Sequence, residues 1–210
     1  MGRIKHKLVV GVFLLGLGGV GAIRAYDAMY NGRVYPSVTM NSTNFGGKTP
    51  AEVEGYWTTK NKPFENAIFT FVFENHVATI SGMDLGLGYD ATLSATQAYL
   101  VGRSGTLITD LLSKFSPNPI SLTPLFRFQE DVFDDTLDLL VQAINVPVQD
   151  ALFEFRGGKV TAFRPSKDGR EVNLEITKKL FSDAVVNLPT ANTTSIVIPI
   201  PVQPVKPSMT

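Results

Sequence analysis

The sequence predicts an α+β fold: a mixed or antiparallel sheet, built from two hairpin–helix units and packed with helices, behind one N-terminal apolar segment. Three observations carry this prediction. Phenylalanines alternate at Phe69, Phe71 and Phe73, which is the two-residue period of a strand. Apolar residues between Phe133 and Ile144 recur at helical spacing instead. An uncharged apolar run, Leu8–Ile23, sets the start of the chain apart from the rest.

The N-terminal segment, residues 1–25, is predicted to be a signal anchor or a signal peptide. A basic stretch ending at Lys7 precedes the sixteen residues Leu8–Ile23, which is the layout of a secretory signal. As a helix this run would span about 24 Å, slightly less than the roughly 30 Å hydrocarbon core. Because basic flanks stay in the cytoplasm, we expect a single-pass membrane protein with its C-terminal domain outside. Cleavage after Ala22, which would give a secreted protein, is the alternative.

Two motifs that resemble nucleotide-binding loops are excluded by their context. Gly16–Gly21 fits the pattern G-x-G-x-x-G, but it lies inside the apolar run and lacks the acidic residue expected about twenty residues later. Gly47-Lys48-Thr49 resembles the end of a phosphate loop, but Ser42 stands at the first glycine position and Pro50 follows directly. We therefore expect no nucleotide cofactor.

The composition after the apolar segment predicts a non-catalytic, monomeric domain. Fifteen lysines and arginines and nineteen aspartates and glutamates follow Arg24, a net charge of −4. No basic block interleaves with aromatic residues, so nucleic-acid binding is not expected. The chain has no cysteine, which excludes disulfides and thiol nucleophiles, and His76 is the single histidine beyond residue 25. We therefore predict no metal, no cofactor and no catalytic residues.

The rest of the chain is predicted to comprise a linker at 26–33, one α+β domain at 34–202 and a proline-containing tail at 203–210. Val34–Met40 is expected to form a short strand, which Pro36 would confine to a sheet edge. Thr49-Pro50-Ala51-Glu52 is a capping box with proline at the first helical position, so a helix should start there.

The elements predicted further along the chain follow from alternation, helical spacing and turn residues. They are a hairpin turning at Glu74-Asn75, a helix Leu93–Val101 ended by Gly102, a helical stripe from Leu107 to Phe115, a strand Ile120–Phe128 interrupted by Pro124, a hairpin turning at Gly157-Gly158, a helix capped by Asn173, and a last strand Ser195–Val202. The stretches 68–100 and 152–185 share the order hairpin, glycine-containing loop, Asx residue, helix. We therefore expect both hairpins to lie in one sheet.

Several segments resemble the peptidoglycan-binding domain that is found beside VanW-like domains and some L,D-transpeptidases. The resemblance covers residues 33–202. The segments that carry it are Tyr35–Asn41, Phe45–Glu52, Tyr89–Thr92, Ala98–Gly105, Asp150-Ala151 and Asp168–Val172. It implies a wall-associated module whose partner is peptidoglycan or another cell-wall polymer.

Four residues are the candidate ligand-binding set: Tyr89, Asp90, Arg103 and Ser104. An aromatic ring with a fixed charge suits a polymer that carries carboxylates. For Arg103 the alternative is a structural role, in which its side chain caps carbonyl groups or pairs with an acid such as Asp90. For Tyr89 the alternative, which the sequence favours, is a half-buried core residue.

Two functions are compatible with these observations. The first is a non-catalytic extracytoplasmic module that binds or faces peptidoglycan and is tethered to the bacterial membrane. The second is the positioning or regulatory part of a wall-modifying protein, VanW-like or transpeptidase, whose catalytic domain is absent from this chain.

Overall fold

The computed structural model describes residues 19–157, 159–191 and 193–209. Most of the predicted signal segment, residues 1–18, lies outside the described residues. Residues 19–29 are helical and are called α1 here, so the first positions of the predicted linker are helical. Among the helices of the described ranges, none has the length and apolarity needed to cross a membrane.

The structure confirms a mixture of helices with small mixed and antiparallel sheets. After α1 the elements are β1 (Val38–Met40), β2 (Thr43–Asn44), α2 (Pro50–Glu65), β3 (Ile68–Phe73), β4 (His76–Ser81), β5 (Gly88–Tyr89), α3 (Ala91–Leu100), α4 (Leu107–Lys114), β6 (Ile120–Leu122), β7 (Phe126–Arg127), α5 (Glu130–Ile144), β8 (Leu152–Arg156), β9 (Lys159–Arg164), β10 (Gly169–Val172), α6 (Leu174–Asn187), a 3₁₀ turn (Leu188–Thr190), β11 (Ser195–Pro199) and β12 (Val202–Val205).

The described residues fall into two compact units. The first unit contains the described residues up to Thr58 together with Asp90–Leu125. The second contains Thr59–Tyr89 and the described residues from Phe126 onward. Helix α2 runs from the first unit into the second.

The first unit is built around a three-stranded sheet in the order β2-β1-β6. Strand β1 pairs antiparallel with β2 and parallel with β6, so it lies in the centre of this sheet. The prediction of an edge strand over 34–40 was wrong, because the strand begins at Val38, beyond Pro36, and the proline removes no ladder hydrogen bond there. Val38, Met40 and Trp57 are fully buried in this unit.

The predicted start of α2 is confirmed in atomic detail. The backbone N–H of Thr49 donates to Glu52 Oε2 at 2.8 Å, and the Glu52 N–H donates to Thr49 Oγ1 at 3.2 Å. These reciprocal bonds satisfy two of the amide groups that a helix leaves unpaired at its first turn. The Thr49 bonds lower the pKa of Glu52.

The second unit has a continuous apolar core beneath a three-stranded sheet in the order β11-β3-β4. The alternation predicted for Phe69 and Phe71 is confirmed, since both side chains are fully buried. One face of α5 and one face of α6 contribute the rest of the aromatic core through Phe133 and Phe181, whose ring centroids are 4.3 Å apart.

The prediction that both hairpins share one sheet was wrong. The hairpin β3–β4 turns at Glu74 as predicted, but the third strand of its sheet is β11, which pairs in parallel with β3. The hairpin β8–β9 forms a separate two-stranded sheet. The β3 edge is thus occupied by Ser195–Pro199, an apolar segment far along the chain, and a pattern of local hairpins does not reveal that pairing.

Prolines divide two of the predicted strands: the interruption at Pro124 was expected, whereas Ser195–Val202 was predicted as one continuous strand. Pro124 separates β6 from β7, and Pro201 separates β11 from β12. The local order of the two similar stretches is retained: Asp90 accepts a capping bond from Leu93 N at 2.9 Å, and Asn173 accepts one from Ile176 N at 3.1 Å.

Candidate binding cavity

A cavity of about 560 Å³ opens within the second unit. Its volume lies in the range of small-molecule sites, and its walls are mainly aromatic and aliphatic. The lining residues are Phe64, Leu87, Tyr89, Phe126, Phe128, Glu130, Phe133, Lys178, Phe181, Ser182, Val185, Val186 and Pro189.

Strand β5 pairs antiparallel with β7 and is also bound by one buried side chain, Asn61. Its Nδ2 donates to the Tyr89 carbonyl at 2.8 Å, and its Oδ1 accepts from the Tyr89 N–H at 2.7 Å. Gly88 allows this approach, because a Cβ built on it would lie 2.8 Å from Asn61 Oδ1 and its φ is +145°. Asn61 is 3 % exposed, so the loss of either bond would leave a polar group unsatisfied.

Three rings in the cavity wall meet edge to face. The centroid distances are 5.7 Å for Phe64–Tyr89, 5.3 Å for Phe64–Phe126 and 5.5 Å for Tyr89–Phe126, with interplanar angles of 87°, 75° and 88°. This is the favoured arrangement of aromatic quadrupoles. Because the three rings are nearly perpendicular, they form an aromatic box and not a flat stacking surface. Such a box suits a compact apolar group of a ligand.

The charged groups of the lining, Glu130 and Lys178, belong to an acidic rim. Lys178 Nζ lies 2.6 Å from Asp134 Oδ1 and 3.9 Å from Glu130 Oε1. The hydrogen bond to Asp134 raises the pKa of Lys178, so this lysine stays charged at neutral pH. Two carboxylates around one ammonium leave the rim with one net negative charge. A ligand that enters here can therefore present an ammonium group to Glu130.

The predicted binding residues Tyr89 and Asp90 are adjacent in sequence and have different surroundings. Tyr89 lines the cavity and packs on Phe64 and Phe126. Asp90 belongs to the first unit, where its side chain caps α3. The structure thus gives Tyr89 a position on the cavity wall and gives Asp90 a local structural contact.

Arg103 lies in the first unit, inside a cage of tyrosines and carbonyl groups. Its guanidinium carbon is 4.1 Å from the ring centroids of both Tyr35 and Tyr99. Its Nη2 donates to the Tyr30 carbonyl at 2.9 Å and to the Arg33 carbonyl at 2.7 Å, and its Nη1 donates to the Tyr99 carbonyl. The capping of carbonyl groups, one of the two roles considered for Arg103, is therefore present in the structure.

Ser104 follows the glycine that ends α3, Gly102, whose φ of +71° matches the predicted left-handed helix stop. The hydroxyl and the N–H of Ser104 both donate to Asp110 Oδ1, at 2.7 and 2.8 Å. These bonds lower the pKa of Asp110, with the Ser104 hydroxyl as the largest cause. Ser104 thus ties the loop after α3 to the start of α4.

Several cavity residues were not identified from the sequence. Asn61 is a polar residue on a helix face that would be expected to be exposed. Phe126, Phe128 and Phe181 were assigned to strand and helix patterns, since alternation and helical spacing show burial but not where a gap will remain. The signal that was available is the high number of phenylalanines, fourteen in all, a large aromatic content for the apolar positions of a chain of this size.

The chain was compared with known proteins. The family model described as “Putative peptidoglycan binding domain” matches residues 78–192, just over half of the chain. The chain belongs to this family. No curated protein and no solved structure matches it significantly.

The matched segment of this peptidoglycan-binding-domain family contains most of the cavity lining. All the lining residues except Phe64 fall within 78–192. By contrast, the cage around Arg103 depends on Tyr30, Arg33 and Tyr35, which precede the matched segment. The family match therefore covers nearly all of the cavity lining but only part of the cage.

Proposed function

We propose that this chain is a non-catalytic, extracytoplasmic module that binds peptidoglycan through the cavity of the second unit. The observation that carries the proposal is that residues of the family segment enclose the cavity almost entirely. An aromatic wall with a few polar groups at its rim is a common construction for ligand binding. Tyr89 retains its predicted role as a ligand contact in this proposal.

The part of the polymer that fits best is the stem peptide. A glycan disaccharide carries many hydroxyl and amide groups, and each one buried without a partner would cost about 1–3 kcal/mol. The lining offers few side-chain polar groups, among them Glu130, Lys178 and Ser182. Stem peptides carry alanine methyl groups for the aromatic box and a diamino acid whose ammonium group can reach Glu130.

We further propose that the apolar N-terminal segment holds the module at the outer face of the membrane, with secretion after cleavage as the alternative. The family match supports a wall-facing role, and the basic-then-apolar sequence supports export. A role as the positioning part of a VanW-like or transpeptidase protein would use the same cavity, so the binding experiment below applies to both.

Sedimentation with purified sacculi tests the proposed function. We expect the chain to pellet with sacculi and to be released by free stem peptides but not by peptide-free glycan strands. Ser182→Trp, at an exposed lining position, should fill the cavity and weaken binding about tenfold, or about 1.4 kcal/mol. The matched control, Asp183→Trp, places the same ring on the next residue of α6, outside the lining.

The competition assays separate two ways in which the proposal could fail. If the chain does not pellet with sacculi, peptidoglycan binding itself is wrong. If glycan strands compete and stem peptides do not, or if both tryptophan variants bind normally, the polymer binds elsewhere and the cavity is not the site.

Asn61 gives a second test of the cavity as a positioned site. Asn61→Ala should lower the free energy of unfolding by about 1–3 kcal/mol, because the backbone groups of Tyr89 lose their buried partner. It should also weaken sacculus binding per folded molecule, since Tyr89 then loses two of the bonds that position it. Asn66→Ala, an exposed substitution near the end of the same helix, should change neither quantity.

A further inference from the structure

Helix α4 in the first unit has an apolar face that is mostly exposed in the described part of the unit. Leu107 is 76 % exposed, Ile108 and Leu112 are each 69 % exposed, and Phe115, directly after the helix, is 51 % exposed. No residue of α4 is buried. Four large apolar side chains at helical spacing therefore form one continuous apolar stripe on the surface.

The opposite face of the helix is polar and fixed to its own loop. Thr109 Oγ1 donates to the Thr106 carbonyl at 3.0 Å, and Asp110 accepts the bonds from Ser104. These contacts orient α4 so that its apolar stripe points away from the loop. The apolar stripe is therefore exposed although α4 is fixed to its loop by hydrogen bonds.

The apolar stripe adjoins the helix that continues from the N-terminal apolar segment. The rings of Tyr26 and Phe115 are 4.8 Å apart, and the Tyr26 hydroxyl donates to the Lys114 carbonyl at 3.2 Å. Lys114 Nζ also lies 2.8 Å from Asp27 Oδ1. In sequence, these α1 residues follow Leu8–Ile23 by a few positions.

The residues at this junction have the composition of a membrane interface. Tyr26 packs on Tyr30 at 4.9 Å and stacks on Tyr35 at 5.8 Å, beside Phe115. Tyrosine is enriched where a protein crosses from hydrocarbon to water, because its ring is apolar and its hydroxyl is polar. An amphipathic helix that lies in the plane of this interface buries its apolar face at the boundary of headgroups and acyl chains.

We propose that the apolar face of α4, formed by Leu107, Ile108, Leu112 and Phe115, lies on the outer surface of the lipid bilayer. This inference rests on the proposed membrane tether and is independent of the cavity. The tether would bring the lipid surface close to Ile23, where the apolar run ends within α1. Residues Tyr26 and Asp27, about one turn later, are those that contact α4 and Phe115. A second copy of the chain is the competing occupant of this face.

Site-specific labelling tests the proposal, since the chain has no cysteine of its own. The full chain carrying Ile108→Cys, labelled with an environment-sensitive fluorophore, would be reconstituted in phosphatidylcholine–phosphatidylglycerol vesicles. Lipids with nitroxide groups on their acyl chains should quench this label at least about twofold, because interfacial helices bury their apolar face to roughly 5–10 Å. Thr109→Cys, exposed on the polar side of the same helix, is the matched control and should be quenched far less.

Each outcome decides a different point. If the chain does not float with the vesicles, both the tether and the inference are wrong. If it floats and the two labels are quenched equally, the tether stands and the α4 inference is wrong. If the Ile108 label is shielded without lipid quenching, and more so at higher protein concentration, the face binds a second copy and the membrane proposal is overturned.

Discussion

The two units differ in what holds them together. The second unit has a continuous aromatic and aliphatic core in which Phe181 contacts Phe69, Phe71 and Phe133. In the first unit, much of the contact at the junction of α1, α3 and α4 is polar or cationic and centres on Tyr35 and Arg103. Burial of apolar surface does not depend on pH and is not screened by ions, whereas charged contacts respond to pH and are screened by salt. The second unit should therefore be the more robust, and the first unit the more responsive to solution conditions.

The largest expected effect is a truncation in the second unit. Phe181→Ala should lower the free energy of unfolding by about 3–5 kcal/mol, since it leaves a cavity where four rings meet. Val186→Ala, one turn along the same helix and 74 % exposed, should change stability by less than about 0.5 kcal/mol. Denaturant unfolding followed by circular dichroism measures both. Equal effects for the two variants would show that the core is not continuous through Phe181.

A smaller effect is expected for the cage in the first unit. Arg103→Ala removes three bonds to carbonyl groups and two ring contacts, and should lower stability by about 2 kcal/mol because the guanidinium is partly solvated. Arg103→Lys should recover only part of this, since an ammonium cannot reproduce the planar fork. Thermal unfolding provides the measurement.

The same variants test the ligand-binding role predicted for Arg103. A structural role leaves sacculus binding per folded molecule unchanged while the melting temperature falls. A roughly tenfold loss of binding with an unchanged melting temperature would instead restore Arg103 to the binding site. In that case the first unit, and not the second, would bind the ligand.

The smallest expected effect is a pH dependence of the first unit. The hydrogen bond from Lys114, followed by that from Tyr35, lowers the pKa of Asp27 below its usual value of 3.8. Asp27 therefore contributes stability that is present above about pH 4 and is lost as the pH falls through its folded-state pKa. The pair is partly exposed, so the contribution should be under about 1 kcal/mol.

The substitution Asp27→Asn isolates this term. Wild type and variant should differ in free energy of unfolding at pH 7, and this difference should shrink as the pH is lowered to about 2.5. Asp131→Asn, an exposed carboxylate on α5, should show no such convergence. A constant difference at both pH values would mean that the hydrogen bond, and not the charge, carries the interaction.

The parts of the fold that the sequence predicted are those set by neighbouring residues. The capping box at Thr49, the turn at Glu74 and the stop at Gly102 each depend on a few adjacent positions, and each is confirmed. The pairing of β11 with β3 was missed, because it joins segments that are distant in the sequence. The exposure of α4 was also beyond reach, since helical spacing identifies an apolar face without showing what covers it.

One of the four predicted binding residues lies in the cavity wall, and its contact with a ligand stays a prediction. Tyr89 was selected as an aromatic ligand contact and does line the cavity. The position of Tyr89 depends on Asn61, Gly88 and Phe126, which come from three separate segments. A cavity remains where side chains from separate segments do not fill the space between them. The periodicity of one segment therefore cannot predict where a cavity lies.

The parallel pairing of β3 with β11 has a consequence for how the chain acquires its fold. Ser195 pairs with Ile68, so 127 positions (195 − 68) separate the partners. Contacts of such long range form slowly, because the intervening loop must close first. Until residues 195–199 arrive, the phenylalanine-rich strand β3 presents an unpaired edge of the kind that recruits other chains. A chain exported with its N-terminus first would expose this edge until β11 has crossed the membrane. The arrival of β11 should therefore set both the rate of folding and the period of greatest risk of aggregation.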